Sequence, residues 1–254
     1  MADNPTLRLE RQMQDQDFHP APSMQSLREG YSALVLGASG AIGQAFVALL
    51  QADPRCARVS ALSRRSQPGF DLRDPASLER LGPALADAGQ FQLVIDATGA
   101  LTLNGNPPEK RLDDLNAAAL QDAMSVNAIG PALLLKSLLP QLATGERVIW
   151  AKLSARVGSI ADNRKGGWYG YRAAKAALNM LLQTAAIEIT RRRPLAVVAA
   201  LQPGTVRSGL SRPFVGEQAL DPLESAGRLL RVLDGLEPTG RAQFVDHAGQ
   251  PIPW

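Results

Sequence analysis

Tyr171 and Lys175, four residues apart in Tyr171-Arg172-Ala173-Ala174-Lys175, are the side chains in this sequence best suited to moving a proton. In a helix, positions i and i+4 lie on one face, so the phenol and the ammonium can act as a unit. A free phenol, with a pKa of about 10, is a poor base near neutrality, and a neighbouring cation favours the phenolate. The spacing alone also occurs on ordinary amphipathic helices. Its meaning depends on what surrounds it.

A second group is Gly37-Ala38-Ser39-Gly40-Ala41-Ile42-Gly43. Three glycines at this spacing, placed where a strand meets a helix, let a dinucleotide pyrophosphate approach the backbone and the helix N-terminus. A β-carbon there would block the approach or forbid positive φ. Further on, the chain reads Ser60-Ala61-Leu62-Ser63-Arg64-Arg65. No carboxylate stands where an NAD site usually places one for the ribose hydroxyls. Arg64 and Arg65 can instead grip a 2′-phosphate through charge-assisted hydrogen bonds, with Ser63 adding a hydroxyl. NADP(H) is therefore favoured over NAD(H).

The elements that must position these groups alternate. Apolar runs at 32–36, 59–62, 91–97, 147–153, 195–201 and 243–246 read as strands. Between them, 41–50, 75–86, 112–142, 169–190 and 222–233 carry helical spacing, with Gly130-Pro131 disturbing the third. Repeated βα units imply one doubly wound parallel sheet with helices on both faces, a single-domain Rossmann fold over 31–254. Residues 1–30 read as a polar extension without the apolar stretch of a secretory signal.

Composition removes other chemistries. The 254 residues are 45% hydrophobic and 20% charged, and no uninterrupted apolar run approaches the length of a membrane span. The net charge of +3 is scattered, without the patch that a nucleic-acid surface needs. Arg191-Arg192-Arg193 reads as cations at a helix C-terminus. A lone Cys56 excludes an internal disulfide, and with only His19 and His247 neither a histidine metal site nor a Ser-His-Asp triad is supported. The reading is a cytoplasmic protein with no membrane, nucleic-acid or metal partner.

Taken together and in order, these motifs resemble the short-chain dehydrogenase/reductase superfamily across 31–254. In that likeness Asp71-Leu72 corresponds to the pair at the adenine, Asp96-Ala97-Thr98-Gly99 to the family's Asn-Asn-Ala-Gly, and Asn127 to its helix asparagine. Pro203-Gly204-Thr205-Val206-Arg207-Ser208 corresponds to the segment covering the nicotinamide. Gly-Ala-Ser-Gly, the stretch from Ser154 to Ile160 and the terminal Ile252-Pro253-Trp254 are most similar to C-factor-like and sniffer-like carbonyl reductases.

The resemblance implies hydride exchange between nicotinamide and a small carbonyl or alcohol. Tyr171 would be the acid or base, Lys175 its tuning cation and ribose contact, and Asn127 the anchor of a water linking Lys175 to solvent. It also implies a homodimer or homotetramer built on the helices bearing Asn127 and Tyr171. The substrate pocket is expected from residues 159–168 and 210–215, with Trp168 and Trp254 as aromatic walls. One departure concerns the substrate-polarising hydroxyl. The family's Ser-Ser-x-x-Gly reads Ser154-Ala155-Arg156-Val157-Gly158 here, so alanine holds the catalytic place and Ser154 is the candidate substitute, with Ser159 a weaker one. Because strand neighbours face opposite ways, Ser154 is expected to reach the substrate only if the backbone bends or the register shifts. Asp96 for asparagine is a second departure, exchanging a donor and acceptor for an acceptor alone. Competing readings are a signalling protein that binds NAD(P) with little turnover, and an isomerase or dehydratase using the same cofactor.

Overall fold

A computed structural model of the chain describes residues 22–67, 69–207 and 219–254. Six strands form one wholly parallel sheet in the order β2-β1-β3-β4-β5-β6. They are β1 (Tyr31–Leu36), β2 (Cys56–Leu62), β3 (Leu93–Asp96), β4 (Val148–Leu153), β5 (Ala196–Gln202) and β6 (Ala242–Asp246). All but β2 are almost continuously apolar because both faces of the sheet are covered.

One face carries α1 (Ala41–Ala52) and α7 (Pro222–Gly235), whose Phe46, Leu50, Leu229 and Leu233 pack on Val35, Ile95 and Ala151. The other carries α2 (Pro75–Glu79), α3 (Leu81–Ala84), α4 (Ala117–Met124), α5 (Gly130–Leu138) and α6 (Tyr169–Arg192). There Leu78, Leu134, Leu138, Leu178 and Leu182 meet Val94, Trp150 and Val198. Each fully buried leucine contributes about 1.5–3 kcal/mol relative to exposure. The doubly wound Rossmann architecture read from the sequence is the one observed.

Several boundaries differ for physical reasons. The 75–86 helix breaks into α2 and α3, followed by a 3-10 turn at Ala86–Ala88. The disturbance near Gly130 is a π-helical turn, Ser125–Ile129, joining α4 to α5. Pro131 has no N–H, which leaves the Asn127 carbonyl without its usual i+4 donor. Gly130 itself lets the helix pass Leu72, whose carbonyl oxygen would lie 2.6 Å from an added β-carbon. The stretch Ala117–Gln141 is long and apolar enough to cross a membrane, but half of its most apolar window is buried in the domain, as in a core helix.

Residues 22–30, on the extension side of the expected boundary, pack on the sheet. Met24 and Leu27 are buried beside Tyr31. Asp53 accepts from Ser23 Oγ at 2.8 Å, Met24 N at 3.0 Å and Tyr31 Oη at 2.8 Å. At the far end of α6, Arg191 and Arg192 stand in the last turn, and Arg193 donates to the carbonyls of Leu139, Leu142 and Ala143 after α5.

Candidate active site

The strand order reverses between β1 and β3, so a crevice opens at their carboxyl ends, where open α/β sheets bind ligands. The glycine turn sits there. Gly37 has φ +76, and a β-carbon on it would lie 2.9 Å from the Ala97 carbonyl group. On Gly43 it would lie 2.2 Å from the Gly37 oxygen. Gly40 begins α1 with no side-chain cap, leaving first-turn N–H groups toward the crevice. The result is a turn packed backbone against backbone, which a side chain at Gly37 or Gly43 would force apart.

A cleft of about 380 Å³ runs from this turn. It is lined by Gly37, Ser39, Gly40, Ser63, Arg64, Asp71, Leu72, Ala97, Thr98 and Gly99, ten of the residues expected to hold the cofactor. Ile42 instead packs against the core, and Gly43 lies beneath the turn as a close-approach position. Ser63 shapes the loop, since its hydroxyl accepts from Arg65 N at 3.2 Å and Ser66 N at 3.3 Å. Arg64 and Arg65 are exposed, and neither guanidinium is paired among the described residues. Pro203, Gly204 and Val206 follow β5 at the same edge of the sheet; Val206 bridges to Leu220, and Gly204 at φ +81 lies against His247. Ser208 and residues 210–215 lie outside the described residues.

A second cleft of about 490 Å³ adjoins the first through Leu103 and Asn104 and contains Asn127 and Tyr171. Tyr171 and Lys175 rise from the first turns of α6, with Lys175 Nζ 5.6 Å from the centre of the Tyr171 ring. Lys175 Nζ donates to the Leu153 carbonyl at 3.0 Å. Asn127 is fully buried in the π turn, accepting from Ala100 N at 3.0 Å and donating to Ala100 O at 2.9 Å. Gly99 brings these groups together: an added β-carbon would lie 3.0 Å from Asn127 Oδ1 and 3.7 Å from Lys175 Nζ. A depression of about 630 Å³ near Phe70 and Arg80 holds none of the expected site residues.

Burial governs the titration of the pair. It pushes the Tyr171 phenol up, so the residue is held protonated. Burial, and then the nearby Lys152 ammonium, push Lys175 well below the lysine range, with Asp96 opposing. The lowering of Tyr171 by its lysine, expected from the sequence, is overridden here by desolvation.

Lys152, paired with Asp96, is the part of the site that sequence reasoning missed. The two are register partners on β4 and β3, both essentially inaccessible, and Lys152 Nζ lies 3.0 Å from Asp96 Oδ1. The same ammonium donates to Thr98 O at 2.6 Å and Thr98 Oγ1 at 3.1 Å, while Asp96 Oδ1 accepts from Thr98 N at 2.9 Å. Asp96 Oδ2 has no partner among the described residues. A buried carboxylate in place of asparagine therefore brings its own counter-ion, and the pair locks the Ala97-Thr98-Gly99 turn. The signal was one lysine inside an otherwise apolar strand.

Ser154 requires a correction. Alternation from Trp150 through Lys152 places it on the α6 face without any bend or register shift. Its hydroxyl is committed to Asn179 Oδ1 at 2.7 Å, four residues beyond Lys175, and it lines neither cleft. Ser159 is tied to Asp162 N at 3.0 Å. Trp168 meets Tyr171 edge-on with ring centres 6.3 Å apart, whereas Trp254 stacks on Phe244 at 5.3 Å.

Fold and site together are those of a nicotinamide-type Rossmann oxidoreductase. The short chain dehydrogenase family model matches residues 31–218, and the chain belongs to that family. C-signal of Myxococcus xanthus is 35% identical over 144 residues, covering 56% of this chain and 83% of that protein. Among solved structures, the fold is similar to the NADPH-bound carbonyl reductase from chicken fatty liver, with TM-score 0.77, 23% identity and coverage of 92% and 98% of the two chains. It is likewise similar to the carbonyl reductase Sniffer of D. melanogaster, with TM-score 0.75, 21% identity and coverage of 88% and 99%.

Proposed function

We propose that the protein is an NADP(H)-dependent reductase of small carbonyl compounds, working reversibly on the corresponding alcohols. The observation that carries this reading is the convergence of Tyr171, Lys175, Asn127 and Gly99 beside the glycine-lined cleft. The cleft lined by Gly37, Ser39 and Gly40 and the unpaired Arg64 fit a dinucleotide with a 2′-phosphate. When bound, the nicotinamide supplies the hydride.

The chain's own residues supply the proton. Tyr171, kept protonated by burial, is the donor to the carbonyl oxygen in reduction; in oxidation it would first pass that proton on through Lys175, and its phenolate would then accept the alcohol proton. Lys175, whose Nζ lies 5.6 Å from the Tyr171 ring centre and donates to the Leu153 carbonyl, would hold the nicotinamide ribose. Asn127, whose carbonyl lacks its i+4 donor, anchors a water that resupplies protons through Lys175. The exposed Ile129, Met180, Leu181 and Ile187, on the π turn and α6, support a homodimer or homotetramer. We place the protein in the cytoplasm, acting on small molecules.

The test is oxidation of NADPH and NADH, in parallel, with a panel of aldehydes and ketones. Turnover with NADPH is expected, with a preference over NADH that falls about tenfold in Arg64→Ala/Arg65→Ala; equal use of both cofactors by the wild type defeats the arginine assignment. The commitment of Ser154 to Asn179, with alanine at 155, favours a second reading, a regulatory NADP-binding protein akin to C-signal. Tight NADPH binding without turnover across the panel would select it.

A further inference from the structure

We propose that Glu109 is a positioning residue for Tyr171: its carboxylate reaches from the loop after β3 to cap the first turn of α6 and fixes the phenol at the cleft. The inference rests on the proton-donor reading above. Helix α6 has no side-chain cap of its own, because Trp168 precedes it in the left-handed conformation at φ 53 and ψ 43. A helix start leaves several N–H groups without intrahelical acceptors. Glu109, 61 residues away in sequence, supplies one: its Oε2 accepts from Gly170 N at 3.0 Å. Its main-chain oxygen accepts from Trp168 N at 2.5 Å.

The local residues fit this role. A β-carbon on Gly170 would lie 2.9 Å from Glu109 Oε1 and 3.3 Å from Ala123 Cβ, so the carboxylate packs directly on the bare glycine and a side chain there would displace it. Glu109 is only 9% exposed, and an isolated carboxylate so buried would be costly without the N–H and the positive end of a helix. From the other side, Arg172 Nε donates to Gly167 O at 2.9 Å and its Nη2 to Gly166 O at 3.0 Å. The segment entering α6 is thus clamped on both flanks. Tyr171 follows Gly170 directly, and Glu109 and Tyr171 line the same cleft. A first turn released from Glu109 displaces the proton donor.

Glu109→Ala and Glu109→Gln separate positioning from mere stability, since glutamine keeps an acceptor. Glu109→Ala is expected to lower kcat about tenfold to a hundredfold, with NADPH affinity within about twofold of wild type, and Glu109→Gln to recover most of the loss. Amide exchange over residues 168–176 should quicken in the alanine variant and not in the glutamine variant. Should Glu109→Ala fail to fold, Gly170→Ala, which crowds the same carboxylate, is expected to give the same fall in kcat. Wild-type kcat in the folded alanine variant, or in Gly170→Ala, would overturn the proposal, as would a glutamine variant as slow as the alanine one. If the wild type reduces no carbonyl compound, the functional reading fails separately. Exchange then decides alone, and unchanged protection at 168–176 in Glu109→Ala rejects the cap.

Discussion

At the glycine turn the protein builds its binding surface from backbone. Gly37 and Gly43 let the backbone of the turn pack closely, α1 offers N–H groups, and the charged side chains in the lining, Arg64, Asp71 and Arg73, stand exposed. Across the cleft, at the ends of β3 and β4 and the start of α6, the protein instead buries ionisable side chains: Asp96, Glu109, Lys152 and Lys175. The first region takes a ligand that brings its own charge, so it needs shape and donors. The second must hold a proton at one atom, which requires charges whose positions are fixed and whose solvation is controlled. The difference also sets where each region stores its vulnerability.

The sharpest way to break that comparison is to remove one member of the buried pair. Lys152→Met leaves Asp96 uncompensated and is expected to cost about 3–5 kcal/mol in denaturant unfolding. Adding Asp96→Asn should restore much of it. The arginine exchange on the cofactor side, made at exposed unpaired residues, is expected to leave unfolding essentially unchanged. A Lys152→Met variant as stable as wild type would show that the pair is no structural element.

A smaller effect lies in pH. The folded pKa of Lys175 lies below its unfolded value, so between the two the unfolded chain binds more protons and stability rises with pH. Lys175→Met removes that dependence. The melting temperature of the variant relative to wild type should therefore fall as pH rises toward the ordinary lysine pKa of about 10.4. A difference that stays flat over that rise would contradict the depressed lysine.

These regions also differ in how far they could be read from sequence. The glycine turn is local: Gly37, Gly40 and Gly43 act within one strand-to-helix junction, and spacing reports them. Tyr171 and Lys175 share one helix, and their i, i+4 relation survives intact. The doubly wound parallel sheet followed from repeated βα units. What escaped is made of long-range partners. Asp96 and Lys152 are 56 residues apart and meet only because β3 pairs with β4 in one register. Glu109 and Gly170 are 61 apart. Ser154 lies on the α6 face, and its hydroxyl's partner, Asn179, comes from another element that strand alternation does not report. The π turn at Asn127 was legible as a disturbance at Gly130-Pro131, but displaced, because proline's missing N–H acts on the preceding turn.

The central claim is that Tyr171 is the proton donor of a nicotinamide-dependent reduction. Turnover of NADPH with a carbonyl substrate should be compared in wild type and Tyr171→Phe, with NADPH affinity measured on both. The predicted result is a loss of kcat of about 10²–10⁴-fold with cofactor affinity retained. Turnover by Tyr171→Phe within about twofold of wild type would contradict the account, which assigns the transferred proton to this phenol.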